Sequence, residues 1–250
     1  RHGFGFWLQP ISQYHQWTRE TYSLAMAAQN LMWGVFGPFA GMAADKLGAS
    51  RVVFIGALLY AAGLLCMATA NQPLAFITGS GILIGAALAC AAFSALSGIV
   101  GRSATVAQRS WAFGVLGAAG SFGQFLMVPV EGFLISNFGW QEALVFLALA
   151  LLVAVPLSLW LREPSFAGGT APLREQSIFQ ALREAFAYPS FQLLMAGFFV
   201  CGFQVVFIAV HMPSYIKDKG FSPEVASIAL ALIGLFNVFG TYFAGSLGQR

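Results

Sequence analysis

The chain has 250 residues, of which 58% are hydrophobic, 15% aromatic and 8% charged, with a formal net charge of +3. Soluble domains carry about 25% charged residues, so this composition excludes an ordinary water-soluble fold and points to an all-α polytopic membrane protein. The Lys and Arg residues are scattered through short polar segments, which removes nucleic acid as an expected partner. Cys66, Cys90 and Cys201, each inside an apolar run, suit neither a disulfide framework nor a zinc site.

A hydrocarbon core about 30 Å thick takes roughly 20 helical residues to cross. Residues 1–10, RHGFGFWLQP, read as the outer end of a first span running into a polar turn, ISQYHQ. Full spans follow near 21–44, 52–70, 74–99, 110–136 and 142–161. Residues 162–189 form the longest polar stretch, in which FAGGTAP reads as linker. Next to it, SIFQALREAF offers a capping box at Ser177 and Gln180, with Ile178, Phe179, Leu182 and Phe186 on one side. That pattern suits a short helix lying on the membrane surface or packed beneath the bundle. Two more spans follow near 190–214 and 224–246, which makes seven full spans and part of an eighth. The expected division is therefore 1–161, a linking segment 162–189, and 190–250. Arg1 stands first and Arg250 directly follows an apolar run, so the chain is expected to be a fragment.

Orientation follows from the basic residues. Lys46, Arg51, Arg102, Arg109, Arg162, Arg174, Arg183 and Arg250 fall on one side, against Arg19, Lys217 and Lys219 on the other. The first side is expected to be cytoplasmic. There GMAADKLGASR places Asp45, Lys46 and Arg51 among Gly41 and Gly48. Small residues allow close helix approach: Gly34, Gly37 and Gly41 form one such face in the second span, and Gly117, Gly120 and Gly123 precede Pro129 and Gly132 in the fifth.

Polar residues at membrane depth are costly and tend to face a cavity or another helix. The candidates for a substrate pathway are Arg1, Gln29, Asn30, Gln124, Gln204, His211 and Asn237, with His2 beside Arg1. Each amide has the alternative of an interhelical hydrogen bond. His211 is a candidate for proton coupling because imidazole titrates near neutral pH, and Glu131 is a second, with snorkelling toward water as its alternative. No metal-ligand cluster, Walker loop or nucleophile motif is present in the sequence. No enzyme activity, cofactor or metal is expected.

Displacing the chain by 204 residues lays WTRETYSLAMAAQNLMWGVFGPFAGMAADK over FSPEVASIALALIGLFNVFGTYFAGSLGQR without a gap, with eight identities in 30 positions. Chance gives roughly two or three in so biased a composition, so the match reads as an internal repeat. Thr18 and Ser222 suit the N-cap of each copy, and Pro223 suits a first helical turn. The copies run in the same direction, six spans apart.

Parallel six-helix halves of this kind resemble the major facilitator superfamily. Gly41, Asp45, Lys46, Gly48 and Arg51 resemble its signature after the second helix, and Gly245, Gln249 and Arg250 resemble a degenerate second copy. The stretches RHGFGFWLQP, WTRETYSLAMAAQNLMWG, GSFGQFLMVP and HMPSYI are similar to bacterial members of the monocarboxylate and oxalate/formate porter group. Two positions depart from related patterns: Gly81 stands about where many sugar and drug porters carry an arginine, and the eighth span offers Asn237 where several carboxylate porters carry one. The resemblance implies a twelve-helix fold of two parallel repeats, of which this chain covers the end of helix 1 to helix 8. It implies a secondary active transporter, symporter or antiporter, moving a small carboxylate-type anion by alternating access, in a bacterial cytoplasmic membrane. A coupled proton or counter-anion and the lipid bilayer are the expected partners. Asp45 resembles a cytoplasmic latch meeting the positive end of a helix in the other half. A receptor or sensor without translocation, and an efflux porter for an amphipathic solute, are the alternatives.

Overall fold

The computed structural model describes residues 3–91, 96–100, 104–160 and 178–248. Among them the chain is helical throughout, with no strand. Helix α1 is Phe4–His15, α2 is Arg19–Leu47 and α3 is Ala49–Thr69. Helix α4 begins as Pro73–Ile77, passes through a π-helical turn at Thr78–Leu83 and continues as Ile84–Ala91. Helix α5 is Arg109–Phe138, and α6 is Trp140–Ala154 with a 3-10 extension, Val155–Trp160. The short α7 is Ile178–Phe186, followed by α8, Pro189–Asp218, and α9, Pro223–Leu247.

Six of the described helices are long and apolar enough to cross a membrane, namely α3 to α6, α8 and α9. Helix α2 is just as long at 29 residues, but Gln29 and Asn30 at its centre make it less apolar. The sequence ISQYHQ, expected as a turn, is helical through His15. The helix stops one residue later, where Gln16 takes a left-handed φ of 55°. Gln13, Tyr14 and Gln16 are exposed while Ile11 packs inward, so polarity there marks an exposed face rather than a chain break.

One hydrophobic core joins α1, α2, α3, α4 and α6 through Trp7, Tyr22, Met67, Phe76 and Leu144. Glycine brings these helices close. A Cβ at Gly63 would sit 2.5 Å from Ile84 Cγ1, and one at Gly85 would sit 2.7 Å from the Gln29 carbonyl oxygen. Near the expected outer surface, His15 stacks on Trp17 at 4.2 Å and meets Trp140 edge-on at 5.5 Å. Helices α8 and α9 leave most of their apolar surface exposed, with α9 packed along α5 and α8 packed on α1.

The two copies of the repeat begin alike. Thr18 has φ −69° and ψ 152°, and Ser222 has φ −70° and ψ 153°. In both, the amide three residues on bonds the cap carbonyl at 3.1 Å. Neither side chain makes the expected cap bond to the backbone; Thr18 Oγ1 instead lies 3.4 Å from Thr21 Oγ1. The copies thus share the backbone of an N-cap without its side-chain hydrogen bond.

Candidate functional site

The first polar element built by this packing joins α2 to α4. Within the π turn the Ile84 amide bonds the carbonyls of Gly79 and Gly81 and passes over that of Ser80. Gln29, only 2% exposed, fills the gap: its Nε2 donates to the Ser80 carbonyl at 2.8 Å. A buried carbonyl outside the helical ladder needs such a partner, above all where no water is at hand. Gly81 lies directly against α2, where an added Cβ would be 3.0 Å from Ala28 Cβ and 3.3 Å from the Ala25 carbonyl. No arginine side chain fits there. Asn30 donates to its own helix, at the Met26 carbonyl.

The second element lies on α5. Glu131 is buried beside Gly3 and accepts a hydrogen bond from Trp7 Nε1 at 3.3 Å. Gln124, also buried, donates from Nε2 to the Leu230 carbonyl of α9 at 3.3 Å. Both side chains line a cavity of about 490 Å³ between α1, α3, α5 and α6. Gly120 and Gly123 face this cavity, and neither has an atom within 4 Å of a Cβ position. They are not the close contact expected of them. Successive steps of three residues turn a helix face by about 60° each, so the glycine stripe winds away from its partner helix. The contact falls instead at Gly114 and Gly117. A Cβ on Gly114 would be 2.8 Å from Gly245 Cα, and one on Gly117 would be 3.4 Å from Thr241 Cβ.

The remaining expected site residues are dispersed. Gln204, His211 and Asn237 are exposed, with His211 at 4.9 Å from the Phe207 ring and the Asn237 carbonyl accepting from Thr241 Oγ1. They do not converge on the α5 residues. In the loop between α2 and α3, Lys46 and Arg51 are exposed and Gly48 has φ 89°, a left-handed conformation that permits the tight turn. Gly34, Gly37 and Gly41 have nothing within 4 Å of a Cβ position, whereas Gly245 is buried on α5. Arg1, His2, Gln249 and Arg250, the cap residue Ser177, and the side chain of Asp45 lie outside the described residues. Among the described residues no cluster of three His, Cys, Asp or Glu forms a metal centre.

Four participants were not singled out from sequence. Trp7 holds Glu131, and the only advance signal was an indole in a polar-poor span. Ser80 contributes a carbonyl, which no side-chain pattern reveals. Arg19 and Asp218 pair across 199 residues at the expected outer ends of α2 and α8, with Nη1–Oδ2 3.1 Å and Nη2–Oδ1 3.2 Å.

A family model described as Major Facilitator Superfamily matches residues 2–250. The chain is 22% identical over 261 residues to the uncharacterized MFS-type transporter YcxA of Bacillus subtilis, covering 100% of this chain and 61% of that protein. It is 26% identical over 235 residues to monocarboxylate transporter 11 of Mus musculus, covering 91% of this chain and 50% of the relative. With monocarboxylate transporter 12 of Rattus norvegicus it shares 22% over 246 residues, covering 85% and 49%. The chain thus spans about half to three-fifths of the length of these relatives, which are named as transporters rather than enzymes.

Proposed function

The chain belongs to the major facilitator superfamily, and from that premise we propose that it serves a secondary transporter moving a small carboxylate-type organic anion by alternating access. Residues 1–161 act as one half, 162–189 as the connecting segment and 190–250 as the start of the other half. The carrying observation is a seam between helices of the two proposed halves. It runs along α5 and α9, where Gly114 and Gly245 bring the backbones together, and along α1 and α8. Halves that meet along paired helices can rock against each other around a central site. The names of the monocarboxylate transporters among the relatives support the anion class, and the Bacillus relative supports a bacterial cytoplasmic membrane.

In this reading Gln29 and Gln124 serve chiefly as interhelical clamps, Gln124 spanning the seam itself. Asn30, Gln204, His211 and Asn237 line the pathway, with Arg1 as the anion-binding group of α1. Glu131, or His211, carries the coupled proton. Gly41, Asp45, Lys46, Gly48 and Arg51, with Gly245, Gln249 and Arg250, form the cytoplasmic gate.

The test is uptake of radiolabelled short-chain carboxylates into proteoliposomes holding the full-length protein. Saturable uptake driven by an inward proton gradient is expected, and Glu131→Gln is expected to remove the drive while leaving counterflow. Substrate binding without any translocation would favour a sensor, and gradient-driven extrusion of an amphipathic solute would favour an efflux porter.

A further inference from the structure

Between the expected outer ends of α1, α5, α8 and α9 lies a second cavity, of about 500 Å³, separate in its lining from the one around Glu131. Three helices bring an interior proline to its wall, Pro10, Pro129 and Pro213, and α9 begins there with Pro223. Interior prolines remove a ladder bond and bend a helix, which accounts for a gap between these helices. Gly5 holds α1 against α8 at this bend, where a Cβ in its place would run into the Ala209 carbonyl that Pro213 cannot bond.

Two hydrogen-bond donors stand out among the polar residues of the cavity wall, Ser214 and Lys217. Ser214 is only 9% exposed, yet its Oγ makes no hydrogen bond. Serine in a helix ordinarily bonds back to a carbonyl in the preceding turn, and a buried hydroxyl left unpaired is costly. Lys217 follows three residues later, on the same face, at the cavity rim. Two carboxylates stand nearby. Asp218 is held in a two-pronged pair by Arg19, and Glu224, which lines the cleft, stands in the first turn of α9, where the helix dipole offsets its charge. One ammonium and one hydroxyl donor, a helical turn apart under walls of proline, Ile135 and Ile228, match the two oxygens and short tail of a small organic acid.

We infer that this cleft is an outer binding site for a short-chain monocarboxylate, held by the Lys217 ammonium and the Ser214 hydroxyl. The site goes beyond the transport reading and does not require translocation.

A Ser136→Cys reporter in a cysteine-free, full-length background places a thiol on the cavity wall. Its modification by a membrane-impermeant maleimide added from outside is then followed with propionate, propionamide or propylamine present. Propionate is expected to slow modification and propionamide to leave it unchanged. Lys217→Gln is expected to raise the half-protecting propionate concentration about tenfold or more, the equivalent of one charge-assisted hydrogen bond. Ser214→Ala raises it less, Lys217→Arg retains protection, and Lys219→Gln, outside the cleft and over the Tyr215 ring, changes nothing. Equal protection by propionamide, protection indifferent to Lys217→Gln, protection by propylamine alone, or a thiol unreachable from outside would each overturn the assignment. Uptake measured on the same preparation separates the two readings, since protection without uptake retains this site and removes only the transport claim.

Discussion

Gln29 and Asn30 are adjacent amides with unequal consequences. Gln29→Leu leaves the Ser80 carbonyl unpaired inside the bundle and is expected to cost about 1–3 kcal/mol, read as a lower unfolding temperature in detergent. Asn30→Ala removes a bond to a carbonyl of its own helix rather than one that joins α2 to α4. Glycines divide in the same way. Gly114→Ala drives a methyl into the backbone of α9 and is expected to cost about 1–3 kcal/mol by overpacking, while Gly120→Ala points into open space and is near neutral. The sequence identified these residue types as unusual, but not their partners. Gln29 is polar in an apolar span and therefore visible. The carbonyl it serves exists only because the backbone around Gly79 and Gly81 adopts a π turn, and side chains alone do not announce that choice.

At the scale of elements, periodicity and length located the helices well and their local geometry less so. The spans at 52–70 and 190–214 lie within α3 and α8 to within a few residues, because a run of apolar side chains long enough to cross a bilayer has no other stable conformation there. The end of α1 was misplaced because a helix leaving the membrane exposes polar residues before it stops. The glycine stripe of α5 was read as one contact face although its three-residue step winds around the helix. For the loop between α2 and α3, a carboxylate at the C-terminal end of a helix opposes the helix's own dipole, which topology alone does not explain. Asp45→Asn is expected to leave membrane insertion intact and to increase thiol labelling from the cytoplasmic side. Unchanged labelling together with unchanged transport would remove the latch role.

For the whole molecule, the internal repeat was the most legible feature, since a displacement of 204 residues aligns Thr18 with Ser222, whose backbone angles agree within 1°. What the repeat did not reveal is how its two copies pack, because symmetry-related segments meet different neighbours. Gly41 and Gly245 are repeat mates, yet only Gly245 is packed against a partner helix. The outer ends carry the same asymmetry. Arg19→Ala is expected to release α2 from α8 and to increase outside labelling of cysteines near the outer seam, an effect that should shrink in high salt because both members of the pair are more than half-exposed or close to it, at 60% and 50%. The repeat also supplies an unusual control. Arg19 aligns with Pro223, so the second copy already holds, at the same backbone geometry, a residue that would ordinarily be the most feared replacement in a helix. Arg19→Pro should therefore delete the ion pair while preserving the start of α2, as read by unchanged helicity and insertion. Each copy is in this sense a natural experiment on the other, a record kept within one chain of which substitutions its shared scaffold tolerates.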